Sequence, residues 1–149
     1  MSDPTGLVPP PVDRDSLRQA LDCLREGFQI IGYDWRYIYV NPAAASHGRR
    51  AAGELIGKPM TEAYSGIDRT PMFTVLRRCM EERTSHVLEN EFTFPDGTTR
   101  WFEIRVQPVP EGICIYSADI ENRKRRQLAR DGNPAARSIL QRIRNLFSA

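Results

Sequence analysis

The sequence predicts an α+β protein. Two strands, a run of short helices and one long helix come first, then three strands in an antiparallel meander, with a further helix at each end. Three observations carry this reading. In the stretch from Leu88 to Val106, Leu88, Asn90, Phe92 and Phe94 alternate with Glu89, Glu91 and Thr93. After Pro95-Asp96-Gly97, Phe102, Ile104 and Val106 alternate with Trp101, Glu103 and Arg105. Period two in aromatic and β-branched residues around turn chemistry is a β-hairpin with one apolar face. Second, Met72, Val75, Leu76, Cys79 and Met80 recur at helical spacing, predicting a helix over 68–83 capped by Asp68, with Pro71 in its first turn. Third, Pro108 and Pro110-Glu111-Gly112 punctuate before the apolar run Ile113-Cys114-Ile115-Tyr116, and such short connections favour antiparallel neighbours.

The remaining elements follow from similar signals. Residues 1–12 hold Pro4, Pro9, Pro10 and Pro11 and read as a disordered or extended leader. Asp13 or Asp15 caps an amphipathic helix within 13–26, striped by Leu17, Ala20, Leu21 and Leu24 and ended by Gly27. Residues 28–33 and 37–40 read as strands around the turn Asp34-Trp35-Arg36. Asn41-Pro42 then starts the first of several short helices, as cap and first helical residue. Beyond a charged helix from Asp119 to Arg130, Asn133-Pro134 starts another. Its stripe includes Ile139, Ile143 and Leu146, which predicts pairing with a second copy.

Bulk properties narrow the function classes. There is no membrane-length apolar run and no signal-peptide pattern, so the cytoplasm is the expected compartment and no membrane partner is expected. The three cysteines include no CxxC pair, which suggests neither a disulfide framework nor a metal site. Residues 119–149 carry eight Lys/Arg against three Asp/Glu, a net +5, whereas residues 1–118 carry −3. That basic tail lacks a helix-turn-helix or interleaved aromatics, so nucleic acid is not an expected partner. No hydrolase, phosphate-loop or metalloprotease motif is present, and no catalytic residue is assigned.

Four segments in order resemble the PAS domain family: Val40-Asn41-Pro42-Ala43-Ala44; Glu54-Leu55-Ile56-Gly57-Lys58-Pro59; the hairpin from Glu91 to Phe102; and Asp119-Ile120-Glu121-Asn122-Arg123-Lys124. The last is similar to the family's Asp-Ile-Thr-Glu-Arg-Lys exit motif, with Glu121 and Asn122 in the Thr and Glu places. The resemblance implies a PAS fold over 27–120, a five-stranded antiparallel sheet with short helices and one long helix over one face, followed by output helices in 121–149. It implies a sensory and dimerisation module that passes the binding of a small molecule or partner to the output helix. The alternative is an interaction domain with a filled core and no ligand.

On this reading Tyr39, Phe73, Leu76, Met80, Asn90, Phe92, Phe94, Phe102, Ile104 and Ile115 are the cavity candidates. Asp119 and Ile120 are the coupling residues. Trp101, on the reverse face, needs cover from Leu17, Leu21 and Leu24 of the N-terminal helix or from a second subunit. No cofactor is identified. Haem is not supported, because the long helix has no His, and His47 and His86 read as surface or capping residues. Flavin is not supported either, because no Cys follows Asn41-Pro42 where the light-sensing subfamily carries one.

A second, shorter resemblance covers Ser138 to Ser148, which is similar to the start of the phosphoacceptor helix of HWE-type histidine kinases, with Gln141 at the place of the phosphorylated His. It implies a two-component kinase context and an output or kinase-domain partner. An amide does not take a phosphoryl group as imidazole does, and the sequence holds no ATP-binding domain, so autophosphorylation by this chain alone is not expected.

Overall fold

The computed structural model describes residues 10–131. Residues 1–9 of the expected leader and the expected C-terminal helix with Ile139, Gln141, Ile143 and Leu146 lie outside the described residues.

In chain order the elements are α1 (Arg14–Asp22), β1 (Gly27–Gly32), β2 (Tyr37–Val40), α2 (Pro42–His47), α3 (Ala52–Leu55), α4 (Met60–Ala63), a 3-10 turn (Ile67–Arg69), α5 (Pro71–Glu82), β3 (His86–Thr93), β4 (Thr99–Val109), β5 (Gly112–Asp119) and α6 (Glu121–Arg130). The strands form one five-stranded sheet in the order β2-β1-β5-β4-β3, with every pairing antiparallel. The hairpin β1–β2 and the meander β3–β4–β5 join where β1 lies beside β5.

The β3–β4 turn closes as its sequence dictates. Phe94 N–H donates to the Thr98 carbonyl (2.8 Å), Asp96 accepts from Thr98 N–H (3.0 Å), and Gly97 takes φ +84°. Helices α2 to α5 cover one face of the sheet, and Ile31, Leu55, Leu76, Val106 and Ile113 are fully buried between the layers. Each such side chain contributes about 1.5–3 kcal/mol by burial. Gly27 admits α2 to the sheet: a Cβ there would strike Ser117 Oγ and lie 3.0 Å from Ala44 Cα.

Several boundaries differ from the sequence expectation; Asp119, expected to open the charged helix, ends β5, and α6 begins at Glu121. Helix α5 begins at Pro71 and its cap is Thr70, not Asp68. Thr70 Oγ1 accepts from Phe73 N–H (3.3 Å) and donates to the Ile67 carbonyl (2.7 Å), while Asp68 sits in the preceding 3-10 turn. Helix α1 ends at Cys23 rather than reaching Gly27. Strand β4 runs through Pro108 to Val109. Its pairing with β3 stops at His86–Val106, so this end has a ladder neighbour on one side only and tolerates a residue without an N–H.

Candidate functional site

Two adjoining, half-open spaces lie between the inner sheet face and the helices. The inner chamber is ≈ 80 Å³. Its floor is Gln29, Ile115, Ser117, Ile104 and Phe102, its roof Leu55 and Met60, and its flank Tyr37 and His47. The outer cleft, ≈ 430 Å³, lies between β3 and the start of α5, with Arg50, Asn90, Glu91 and Phe94 along it. Tyr64, Ile67, Met72 and Phe92 line both and so form the partition. Tyr64 and Phe92 meet edge to face, with centroids 5.7 Å apart. The Tyr64 hydroxyl donates to the Gly48 carbonyl (2.9 Å), which fixes its side of the partition.

Phe102, Ile104 and Ile115 line the inner chamber as the alternation predicts, and Phe92 lines both spaces. Asn90 and Phe94 line only the outer cleft. Asn90 makes a long contact from Nδ2 to Met72 Sδ (3.7 Å), and the Arg49 guanidinium lies 3.6 Å over the Phe94 ring. Phe73, Leu76 and Met80 are buried in the core and line neither space; Phe73 packs on Trp35 at 4.7 Å.

Tyr39 is a correction. It lies on the reverse face, where its hydroxyl donates to Asp22 Oδ1 (2.5 Å) and its ring packs near Phe28. The cause is an irregularity in the β1–β2 register between Ile30 and Ile31: Tyr39 pairs with Ile30, Tyr37 pairs with Ile31, and Ile38 is left exposed. One extra residue reverses the facing of all that follows it, so Tyr37 takes the chamber position.

Sequence reasoning also missed His47, Gln29, Ser117 and Tyr64. His47 reads as a surface or capping residue. In the fold its ring packs against Phe102 (5.1 Å) and its Nδ1 lies 3.3 Å from Ser117 Oγ. Burial pushes the His47 imidazolium pKa down, with Asp119 pulling the other way. Its position after Asn41-Pro42, on a one-and-a-half-turn helix tied to β1, is the signal that could have found it.

The coupling residues sit where β5 passes into α6. Asp119 accepts from Arg100 Nε (2.5 Å) and from Glu121 N–H (3.0 Å), and Ile120 N–H donates to the Trp101 carbonyl (3.0 Å). Burial alone would raise the Asp119 pKa, but these two donors and the Arg100 charge hold its carboxyl below the usual range. Glu121 accepts from Trp101 N–H (2.8 Å), and Lys124 Nζ stands 4.5 Å over the Trp101 ring. Arg123 and Lys124 pair with Glu89, and Arg123 also reaches Glu103 (3.4 Å).

Trp101 is therefore covered by α6 rather than by α1. Helix α1 is tied to the other end of the sheet: Asn41 Nδ2 donates to the Leu21 carbonyl (2.9 Å), and Leu17 and Leu24 remain exposed. Sheet order explains this, since β1 and β5 separate β2 from the Trp101 strand.

Among the described residues no group of acidic, Cys and His side chains is arranged to hold a metal, and no helix is long and apolar enough to cross a membrane. No curated protein matches the chain. Several solved structures share its fold. An RNA-binding light-oxygen-voltage receptor is 21% identical with a TM-score of 0.66; the match covers 85% of this chain but only 38% of that one. A domain of a sensory box sensor histidine kinase/response regulator from Geobacter sulfurreducens is 19% identical with a TM-score of 0.58, over 70% of this chain and 92% of that one. The PAS domain of nitrogen regulation protein NR(II) from Vibrio parahaemolyticus is 16% identical with a TM-score of 0.57, over 70% and 97%. The family model described as the PAS fold matches residues 8–125, and with the sheet order and exit motif above it, the chain belongs to the PAS fold family.

Proposed function

We propose that this chain is a cytoplasmic sensory and dimerisation module that transmits the binding of a small molecule or partner to α6 and the segment beyond it. One observation carries the reading: strand β4 has the chamber on one face and the output helix on the other. Phe102 and Ile104 line the chamber, while Trp101, between Arg100 and Phe102, bonds Ile120 and Glu121 through its backbone. A ligand that shifts β4 changes the seat of α6, and a helix whose two seats differ in energy is a two-state element a ligand can bias. His47 adds a second route, since it lies against Phe102 and within electrostatic reach of Asp119.

A two-component kinase context is the finer reading. It is supported by the resemblance of Ser138–Ser148 to a phosphoacceptor helix and by the fold shared with a sensor-kinase domain. With Gln141 at the acceptor place, the output is conformational, delivered to a kinase or other output domain. A second reading, an interaction domain with a filled core, is favoured by the small inner chamber, ≈ 80 Å³. A small molecule carried through purification, seen by native mass spectrometry, would argue against it.

The test is amide hydrogen exchange in α6. Ile115→Phe fills the chamber from its floor, at a cost of about 1–3 kcal/mol in overpacking. It is expected to change α6 exchange about threefold or more relative to the amides of β1. In an Asp119→Ala background that response should vanish while the urea midpoint moves little. Identical α6 exchange with chamber filled and unfilled rejects the reading.

A further inference from the structure

His47 stands over the point where the sheet passes into α6, and the strand register places it there. Phe102 and Asp119 are cross-strand partners at the end of the β4–β5 ladder, and Ser117, two residues before Asp119, pairs with Ile104. The His47 ring packs on Phe102, with centroids 5.1 Å apart, and its Nδ1 lies 3.3 Å from Ser117 Oγ. Residues two apart on a strand share a face. One imidazole therefore touches both the residue opposite Asp119 and the residue before it on the same face. The ring is half-buried, so it packs on the sheet and still exchanges protons with solvent.

Three charges act on the ring, each from a different segment: Asp119 at the end of β5, Arg100 on β4 and Glu26 just ahead of β1. Asp119 is already engaged. It accepts from Arg100 Nε (2.5 Å) and from Glu121 N–H (3.0 Å), the bond that starts α6. Among the described residues Arg100 is the cation paired with this carboxylate. A charged imidazole competes with it, since it attracts Asp119 and repels the Arg100 guanidinium. Burial is the main influence on the ring and works against its charged form. A histidine whose pKa is lowered by folding holds fewer protons in the folded chain than in the unfolded one. Falling pH therefore works against the folded arrangement from about 6.5 downward. A local shift that pairs or hydrates the charged ring relieves that cost.

We propose that His47 is a proton-operated switch: on taking up a proton its ring draws the Asp119 carboxylate from Arg100 and from Glu121 N–H, and so loosens the seat of α6. The trigger is acidification itself, with no molecule bound between sheet and helices. The switch rests on the proposed sensory reading only in taking α6 as the output.

The test follows the two histidine rings and the α6 amides of the full chain by NMR, from about pH 7.5 to about pH 5.5, above the range in which carboxylates titrate. Protection factors of α6, corrected for intrinsic exchange and taken relative to β1, should fall about two- to fivefold as His47 titrates. His47→Gln should abolish the fall, and His86→Gln should leave it. The coupling must also be reciprocal, which is read on the native ring without altering it. Asp119→Asn removes an attracting charge and should lower the His47 midpoint; Arg100→Gln removes a repelling one and should raise it. A fall in α6 protection that survives His47→Gln, no fall across the range, or a His47 midpoint unmoved by Asp119→Asn would each overturn the switch. An α6 response to Ile115→Phe without a response to pH rejects the switch and keeps the sensory reading. A response to pH without one to Ile115→Phe keeps the switch and rejects that reading.

Discussion

Asn41 makes four hydrogen bonds from a fully buried amide. Its Oδ1 accepts from Phe28 N–H (2.8 Å) and Ala44 N–H (2.9 Å), and its Nδ2 donates to the Leu21 (2.9 Å) and Glu26 (3.0 Å) carbonyls. One side chain thus ties the end of α1, the start of β1 and the cap of α2. Asn41→Ala should cost about 2–4 kcal/mol, because the two donors and one or both carbonyls lose their partners away from water. Asn41→Asp keeps the acceptor but sets a buried carboxylate oxygen against the Leu21 and Glu26 carbonyl oxygens, and should cost at least as much. Urea denaturation measures both, and a loss below about 1 kcal/mol for the alanine variant would contradict the role. The cap was legible in the sequence from Asn-Pro spacing; the two reverse bonds were not, because nothing local says that Leu21 and Glu26 return to this point. Tyr37 and Tyr39 show the same limit. Alternation is a local signal, and the residue that breaks it in β2 is dictated by the partner strand β1.

At the scale of elements, long periodic segments were read correctly and their ends were not. The α5 stripe is buried as its spacing required, but Asp68 and Thr70 are both good caps, and only the 3-10 turn decides between them. The β3 alternation is likewise seen in the fold, with every second residue exposed. Helix α6 is the element whose stability should depend on pH. The carboxyls of Glu89 and Asp119 are both held below their ordinary values. For Glu89 the Lys124 hydrogen bond is the main cause; for Asp119 burial opposes, and Glu121 N–H and Arg100 outweigh it. A carboxyl whose pKa is depressed in the folded state adds stability above its unfolded value, about 4, and that stability is lost as pH falls through the lower folded value. Below about pH 4, therefore, α6 should leave β4 before the sheet unfolds. The indole N–H resonance of Trp101 reports it: its shift should move ahead of the methyl resonances of Ile31 and Ile113, and Asp119→Asn should bring the change to higher pH. Coincident changes would mean that α6 and the sheet unfold together.

For the whole molecule, sheet order determines which surfaces are free. Among the described residues, α6 occupies the reverse face at β4 and β3, while Leu17 on α1, 53% exposed, and Leu24 just past its end, 37% exposed, lie at the opposite end. The expected homodimer would use this exposed apolar pair. Leu17→Glu with Leu24→Glu should convert a dimer to a monomer in sedimentation velocity while changing the melting temperature little, since exposed sites carry within about 0.5 kcal/mol. An unchanged sedimentation coefficient would remove α1 from the interface. The overall fold was legible because strand order along the chain and short connections leave few topologies. The destination of α6 was not, because its apolar content is low and its seat is made of ion pairs and of backbone and ring contacts to Trp101. That seat has a further consequence. Glu89 and Arg123 keep 40% and 53% of their side chains exposed, and exposed pairs are worth about 0–1 kcal/mol each. On the proposed sensory reading, a latch whose net strength is about 1–2 kcal/mol would leave the helix released in roughly 3–15% of molecules at rest. A ligand that prefers the released form about tenfold raises this to between roughly a quarter and two thirds. On that reading a tighter latch would quiet the background and leave the same ligand unheard, so weak ion pairs in the seat would raise the gain.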